Sequence, residues 1–192
     1  LMATDPVISQ NQFLFSKLPY DPVNAFAPVT RIAVANMALF VPASLPVNTV
    51  KEFVDYAKQR PGKVAYGSTG IGNVTHLSMA WLENRSGITL NHVPYKGLAP
   101  VIQDMLSGQI EAAFGAVSVL DQHIKAGKLK ALAISGAQRA KLLPNVPTLI
   151  EAGFENIDAN FNIGLFAPRE TPKDVVAKIA ADVQRIVRDP AF

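Results

Sequence analysis

Apolar residues recur at helical spacing in some stretches of the chain and crowd at strand density in others. Residues 29–43 are rich in Val, Ala, Ile, Leu and Phe, and read as extended chain ending at Pro42. Val50, Phe53, Val54 and Ala57 keep the i, i+3, i+4, i+7 spacing of an amphipathic helix, which Asn48 or Thr49 can cap and Pro61-Gly62 stops. A short strand followed by a short helix then recurs. Strands are expected at 63–66, 90–93, 110–114 and 129–134, and helices at about 73–85, 99–106 and 118–125. Gly108 and Gly127 end two of these helices, where a left-handed residue carries no Cβ penalty. This alternation predicts an α/β fold with a mostly parallel sheet and helices on its faces. After a loop bracketed by Pro144 and Pro147, a short helix is expected near 149–152 and a strand at 161–167. A last helix opens with Thr171 as N-cap and Pro172 at its first position. Its apolar face runs through Val175, Val176, Ile179, Val183 and Ile186.

One echo bears on domain organisation. Leu39-Phe40-Val41-Pro42 and Leu165-Phe166-Ala167-Pro168 are each followed four residues later by another proline (Pro46, Pro172) and then a helix. Chance accounts for so short a match. Two related crossings between lobes, near Val41 and Asn162, account for it equally. The second reading places 1–41 and 162–192 in a partial first lobe and 42–161 in a second, with a ligand cleft between them.

Composition narrows the function. At 192 residues, 49% apolar and 17% charged, the chain has a core to bury and is not a disordered tail. Mean hydropathy is +0.19, yet no apolar run approaches the ~20 residues of a bilayer span, so membrane insertion is not expected. The net charge of +3 is spread, as in Lys125, Lys128, Lys130, Arg139 and Lys141, without the basic cluster of a nucleic-acid binder. Cysteine is absent, which removes disulfides, Cys-ligated zinc and a thiol nucleophile. His76, His92 and His123 lack metal-ligand spacing and read as surface or hydrogen-bonded structural groups. Gly67, Gly70 and Gly72 do not make a dinucleotide fingerprint, and Gly62-Lys63 continues into a strand, so no cofactor is expected.

The ends of three successive strands are more informative. Tyr66-Gly67-Ser68-Thr69-Gly70, Pro94-Tyr95-Lys96-Gly97 and Phe114-Gly115-Ala116-Val117-Ser118 each end a strand just before a helix. In open α/β sheets ligands bind at the carboxyl ends of strands, where helix N-termini present free N–H groups and partial positive charge. Ser68 and Thr69 add hydroxyls, Lys96 adds a full charge, and Gly67, Gly70 and Gly115 allow close approach to the backbone. These features describe a pocket for a small anion, most simply a carboxylate. Ordinary turn chemistry is the competing explanation. A nucleophilic Ser68 is a further alternative, but Gly-x-Ser-x-Gly is not met and a base is not evident.

The same residues carry a family resemblance. The blocks are Lys63-Val64-Ala65-Tyr66-Gly67-Ser68-Thr69-Gly70-Ile71-Gly72 with Thr75-His76-Leu77, His92-Val93-Pro94-Tyr95-Lys96-Gly97, Ala126-Gly127-Lys128-Leu129-Lys130, Leu143-Pro144-Asn145-Val146-Pro147-Thr148, and Gly164-Leu165-Phe166-Ala167-Pro168. In this order, with Leu18-Pro19-Tyr20-Asp21-Pro22 near the start, the chain resembles the Bug family, the periplasmic solute-binding receptors of tripartite tricarboxylate transporters. The resemblance implies a two-lobe, type II periplasmic-binding-protein (Venus-flytrap) fold with one lobe incomplete. It implies a non-enzymatic, monomeric, periplasmic receptor whose ligand is a di- or tricarboxylate, an acidic amino acid or an aromatic acid. Its partners would be membrane transporter subunits, or a sensor kinase if the receptor serves sensing. The resemblance also makes the chain an internal piece of a longer protein. By resemblance, Ser68, Thr69 and Gly70 hold the carboxylate, Thr75 and His76 support them, and Tyr95 and Lys96 come from the second loop. Gly115, Ala116 and Ser118 come from the third. Thr4 and Asp5 sit on a first-lobe loop, where Asp5 reads an amino group or stays in solvent.

Overall fold

The computed structural model describes residues 1–4, 6–154 and 159–189. The chain forms two compact units, one of 1–34 with 161–192 and the other of 35–160.

The second unit is built on a five-stranded sheet. Its strands are β3 (Met37–Pro42), β4 (Ala65–Ser68), β5 (Asn91–Pro94), β6 (Ala112–Ala116) and β7 (Leu129–Ile134), in the order β5-β4-β6-β3-β7. β4 pairs parallel with β5 and β6, whereas β3 pairs antiparallel with both β6 and β7. The four strands of the strand–helix repeat therefore all run one way, and β3 runs against them. The expectation of a mostly parallel sheet holds for the repeat and fails at β3. That strand enters from the other unit rather than through a helical crossover, so the right-handed crossover rule does not set its direction. All six residues of β3 are buried, as befits an inner strand covered on both faces.

Helices pack on this sheet: α2 (Val50–Lys58), α3 (Val74–Ser86), α4 (Leu98–Leu106) and α5 (Val117–Lys125). Thr49 caps α2 by accepting the Glu52 N–H on its hydroxyl, and the Glu52 carboxylate takes the Asn48 N–H in return. α3 ends at Gly87, whose φ of +62° is the left-handed stop that glycine permits. Phe40, Val101, Met105, Ile110, Leu120 and Leu129 belong to one buried core. Two glycines of the sheet are packing residues. A Cβ on Gly67 would lie 2.6 Å from Ile110 Cδ1 and 2.8 Å from Val101 Cγ1, and one on Gly115 would lie 2.9 Å from Phe40 Cε1. Neither glycine opens the backbone to a ligand, as its loop position suggested; both let side chains of the core close over the sheet. The helix expected at 149–152 is a turn, tied by the Thr148 N–H to Glu151 Oε2 and the Glu151 N–H to Thr148 Oγ1.

The first unit holds a three-stranded sheet of β1 (Met2–Thr4), β2 (Phe26–Ala35) and β8 (Phe161–Pro168) in the order β1-β8-β2. β1 is antiparallel to β8, with Thr4 opposite Ile163. A π-helical turn at Pro6–Gln10 and the four-residue α1 (Asn11–Leu14) follow β1. α6 (Lys173–Val187) carries Pro172 at its N-cap, one position later than Thr171. The Pro172 carbonyl accepts the Val176 N–H, while the Thr171 N–H is spent on the Pro168 carbonyl. None of the α6 residues is fully buried. The extended stretch 29–43 thus divides: β2 belongs mainly to one unit and β3 to the other. The division falls between Val34 and Ala35 rather than near Val41, which is an interior residue of β3 opposite Lys130.

Two substitutions test this packing. Phe40→Ala should cost about 3–5 kcal/mol in denaturant unfolding, as expected for a buried aromatic, and a cost below about 1 kcal/mol would contradict its central placement. Gly67→Ala should cost about 1–3 kcal/mol through overpacking against Ile110 and Val101, and neutral behaviour would contradict the close approach.

Candidate functional site

β5, β4 and β6 are parallel neighbours, so the loops after them open on one edge of the sheet. α3, α4 and α5 start within a few residues of those strand ends. The first N–H groups of a helix have no intrahelical acceptor. Some of them are used: the Val117 N–H of α5 donates to the Asn36 carbonyl, and the His76 N–H of α3 to the Asn73 carbonyl.

The loop between β4 and α3 is held largely by its own side chains. Ser68 is 1% exposed and Thr75 2% exposed, so both act from beneath the surface. Thr75 Oγ1 accepts the Thr69 N–H at 2.9 Å and lies 3.0 Å from the Thr69 hydroxyl. Ser68 Oγ accepts the Gly70 N–H at 3.2 Å and faces the Gly70 carbonyl at 3.3 Å. His76 Nδ1 accepts the Gly72 N–H at 3.1 Å, so its neutral ring carries the proton on Nε2. Gly70 has φ +128° and open space where a Cβ would stand. It is the position where this turn requires glycine and where the backbone is approachable. Thr69, Gly70 and His76 are half-buried and Ile71 is exposed, with Ser68 and Thr75 buried beneath them.

A residue outside the expected set joins this group. His92 on β5 places Nε2 2.7 Å from Ser68 Oγ. Its ring stacks on Tyr66 at 4.8 Å and on His76 at 4.3 Å, giving a column of three rings. Burial, with a smaller contribution from His76, holds the His92 imidazole below its ordinary pKa. The pleat puts Tyr66, Ser68 and His92 on the same side of two paired strands, because Tyr66 is opposite His92 and Ser68 is two residues on. That register is the signal that relates His92 to Ser68. It follows from strand pairing and not from linear spacing.

The other expected residues have different surroundings. Tyr95 is half-buried, and its hydroxyl donates to Asp104 Oδ2 at 2.6 Å. Burial and that carboxylate push its phenol up to about 12. Lys96 is exposed, without an ion-pair partner among the described residues. Gly115 is closed off by Phe40 and Leu98, Ala116 is the N-cap of α5, and Ser118 is exposed on that helix. Thr4 lies in the first unit, beside Thr30, Arg31, Asn162 and Phe166 in a cavity of about 290 Å³. Asp5 lies outside the described residues.

The Ser68–His92 contact has the look of a nucleophile and its base. Ser68 is buried, however, and no carboxylate hydrogen-bonds His92 among the described residues, so the pair lacks the access and the orienting acid of a hydrolase. No group of described residues is arranged to hold a metal ion. No helix among them is long and apolar enough to cross a membrane.

Comparison with known proteins completes the picture. The model of the tripartite tricarboxylate transporter family receptor matches residues 1–192. A protein encoded in the tcbD–tcbE intergenic region of Pseudomonas sp. strain P51 is 32% identical over 181 residues, covering 94% of this chain and 54% of the relative. Among solved structures, an R. palustris protein with adipate superposes with a TM-score of 0.87 at 30% identity, covering 99% of this chain and 64% of its own. The periplasmic binding protein BugD gives 0.84 at 30% identity, covering 100% and 64%. MatC from Rhodopseudomonas palustris with bound malate gives 0.80 at 29% identity, covering 96% and 63%. The chain spans about half the length of that curated relative and just under two thirds of these solved chains. The fold is the mixed α/β fold of periplasmic binding proteins, and the family is one of receptors rather than enzymes. With the whole chain matched by that model and the carboxyl-edge loops in place, the chain belongs to the tripartite tricarboxylate transporter receptor family.

Proposed function

We propose that the carboxyl edge of the second unit binds a small carboxylate, and that the protein captures this solute in the periplasm for the membrane subunits of a tripartite transporter. The observation that carries this is the turn at Thr69 and Gly70. It places a half-buried hydroxyl, an approachable glycine and the start of the 13-residue α3 side by side at the end of a parallel strand. Backbone N–H groups and the positive end of a helix favour a carboxylate over a neutral sugar. Lys96, on the neighbouring loop, supplies the mobile positive charge that a second carboxylate would use. Ser68, Thr75 and His76 fix the shape of the turn, so little reorganisation is needed when the anion arrives. Adipate and malate in two structural relatives support a dicarboxylate as the ligand class. On this proposal the two compact units are the lobes of the receptor.

The test is a thermal-shift series on the full natural chain that carries these 192 residues. A specific carboxylate at 100 times its Kd should stabilise by about 2.7 kcal/mol, while neutral sugars and amines should leave the melting temperature unchanged. Stabilisation by sugars alone would overturn the carboxylate assignment. Thr69→Ala should weaken binding of the same carboxylate about tenfold or more, the loss of a hydrogen bond to a charged group. An unchanged Kd, read by calorimetry, would remove Thr69 from the site.

A further inference from the structure

We propose that the stacked His76–His92 pair makes carboxylate binding proton-linked: His92 takes up a proton as the anion seats on the turn, while His76 Nδ1 holds that turn by accepting the Gly72 N–H. The proposal rests on the carboxylate site above. It starts from the fact that the two rings meet the same turn from two sides with opposite hydrogen-bond demands.

His76 Nδ1 is an acceptor, bound to the Gly72 N–H. A proton there would replace the acceptor with a donor, and two N–H groups would face each other. The Gly70–Gly72 turn would lose one of its ties. His92 behaves differently. Its Nε2 faces Ser68 Oγ, which both donates and accepts. With a proton on Nε2, His92 donates to Ser68, and the serine hydroxyl turns to the Gly70 carbonyl 3.3 Å away. No hydrogen bond is lost. The geometry therefore tolerates a charge on His92 and penalises one on His76. Two imidazolium rings stacked at 4.3 Å would also repel.

Among the described residues, this charge has no carboxylate partner. β5 is an edge strand, so its only sheet neighbour is β4, which faces His92 with Tyr66 and Ser68. From α3 the facing titratable group is His76. Glu83 of α3 acts on Tyr66, and its carboxylate accepts the Leu90 N–H. Lys96, beyond the end of β5, is exposed, and Asp104 of α4 is engaged by the Tyr95 hydroxyl. In the free protein burial disfavours the charged form of His92, with a smaller contribution from His76. An anion on the turn, one serine hydroxyl away, offsets that penalty. By linkage, a ligand that favours the charged ring binds more tightly when the ring is charged.

The experiment is titration calorimetry of the full natural chain with adipate between pH 8.5 and 6.5, a range in which both adipate carboxyls are ionised. Each titration is repeated in two buffers of different ionisation enthalpy. The expected result is a Kd that tightens at least about threefold as the pH falls, with net uptake of part of a proton. His92→Gln, which can still donate to Ser68 but cannot titrate, should flatten the dependence and abolish the uptake. His123→Gln, on the last turn of α5, should leave both as in the wild type. A flat Kd with no proton uptake in the wild-type protein would overturn the proposal and leave the carboxylate site standing. A His92→Gln variant that keeps the wild-type slope would also overturn it. If His92→Gln does not fold, the wild-type proton count decides alone. Failure of every carboxylate to bind would overturn both the site and the linkage built on it.

Discussion

One buried strand sets the frame for everything else in the second unit. β3 stands between β6 and β7 and runs against both, with every residue inside. Such a strand must satisfy two ladders of backbone hydrogen bonds at once, because an unpaired N–H or carbonyl in this core would cost free energy. Its pairing fixes β6, β6 fixes β4, and β4 fixes β5. The carboxyl ends of three parallel strands are thereby aligned on one edge. The Asn36 carbonyl, just before β3, also takes the first N–H of α5, so the same segment helps set a helix start at that edge.

On this frame the turn after β4 is stiffened by hydrogen bonds from short side chains. Thr75 and His76 reach back from the first turn of α3 to the Thr69 and Gly72 N–H groups, and Ser68 holds the Gly70 N–H. The side chains shape the loop, and the approachable groups are left at its surface. This arrangement separates two tasks that linear inspection merges. Ser68 has the residue type of a ligand contact, yet its burial makes it a brace. On the proposed function, Thr69 and Gly70 are the groups that meet the anion. The ring column of Tyr66, His92 and His76 gives the brace a titratable element.

Much of the fold was legible because local rules agree with the tertiary structure. The strand–helix alternation, the Thr49 cap and the Gly108 and Gly127 stops are all local, and φ is positive at both glycines. What escaped was non-local. Nothing in the composition of residues 37–42 states that the strand runs antiparallel to its neighbours, because direction depends on where the chain comes from. Gly67 and Gly115 looked like openings for a ligand, since sequence does not show Ile110, Val101, Phe40 and Leu98 filling the space. His92 looked like an isolated structural histidine until strand register brought it beside Ser68. Tyr95 had the residue type of a contact, but Asp104, nine residues on, holds its hydroxyl. Resemblance to a receptor family pointed to the loops at this edge; packing separates the buried residues there from those near the surface.

The central claim is that an anion is held by the turn following β4, in the second unit. A crystal structure of the full natural chain with adipate tests it most directly. The account predicts a carboxylate oxygen within hydrogen-bond distance, about 2.7–3.2 Å, of the Thr69 hydroxyl or of the Ile71, Val74 or Thr75 N–H. A carboxylate bound elsewhere, with this turn empty and unchanged, would contradict it.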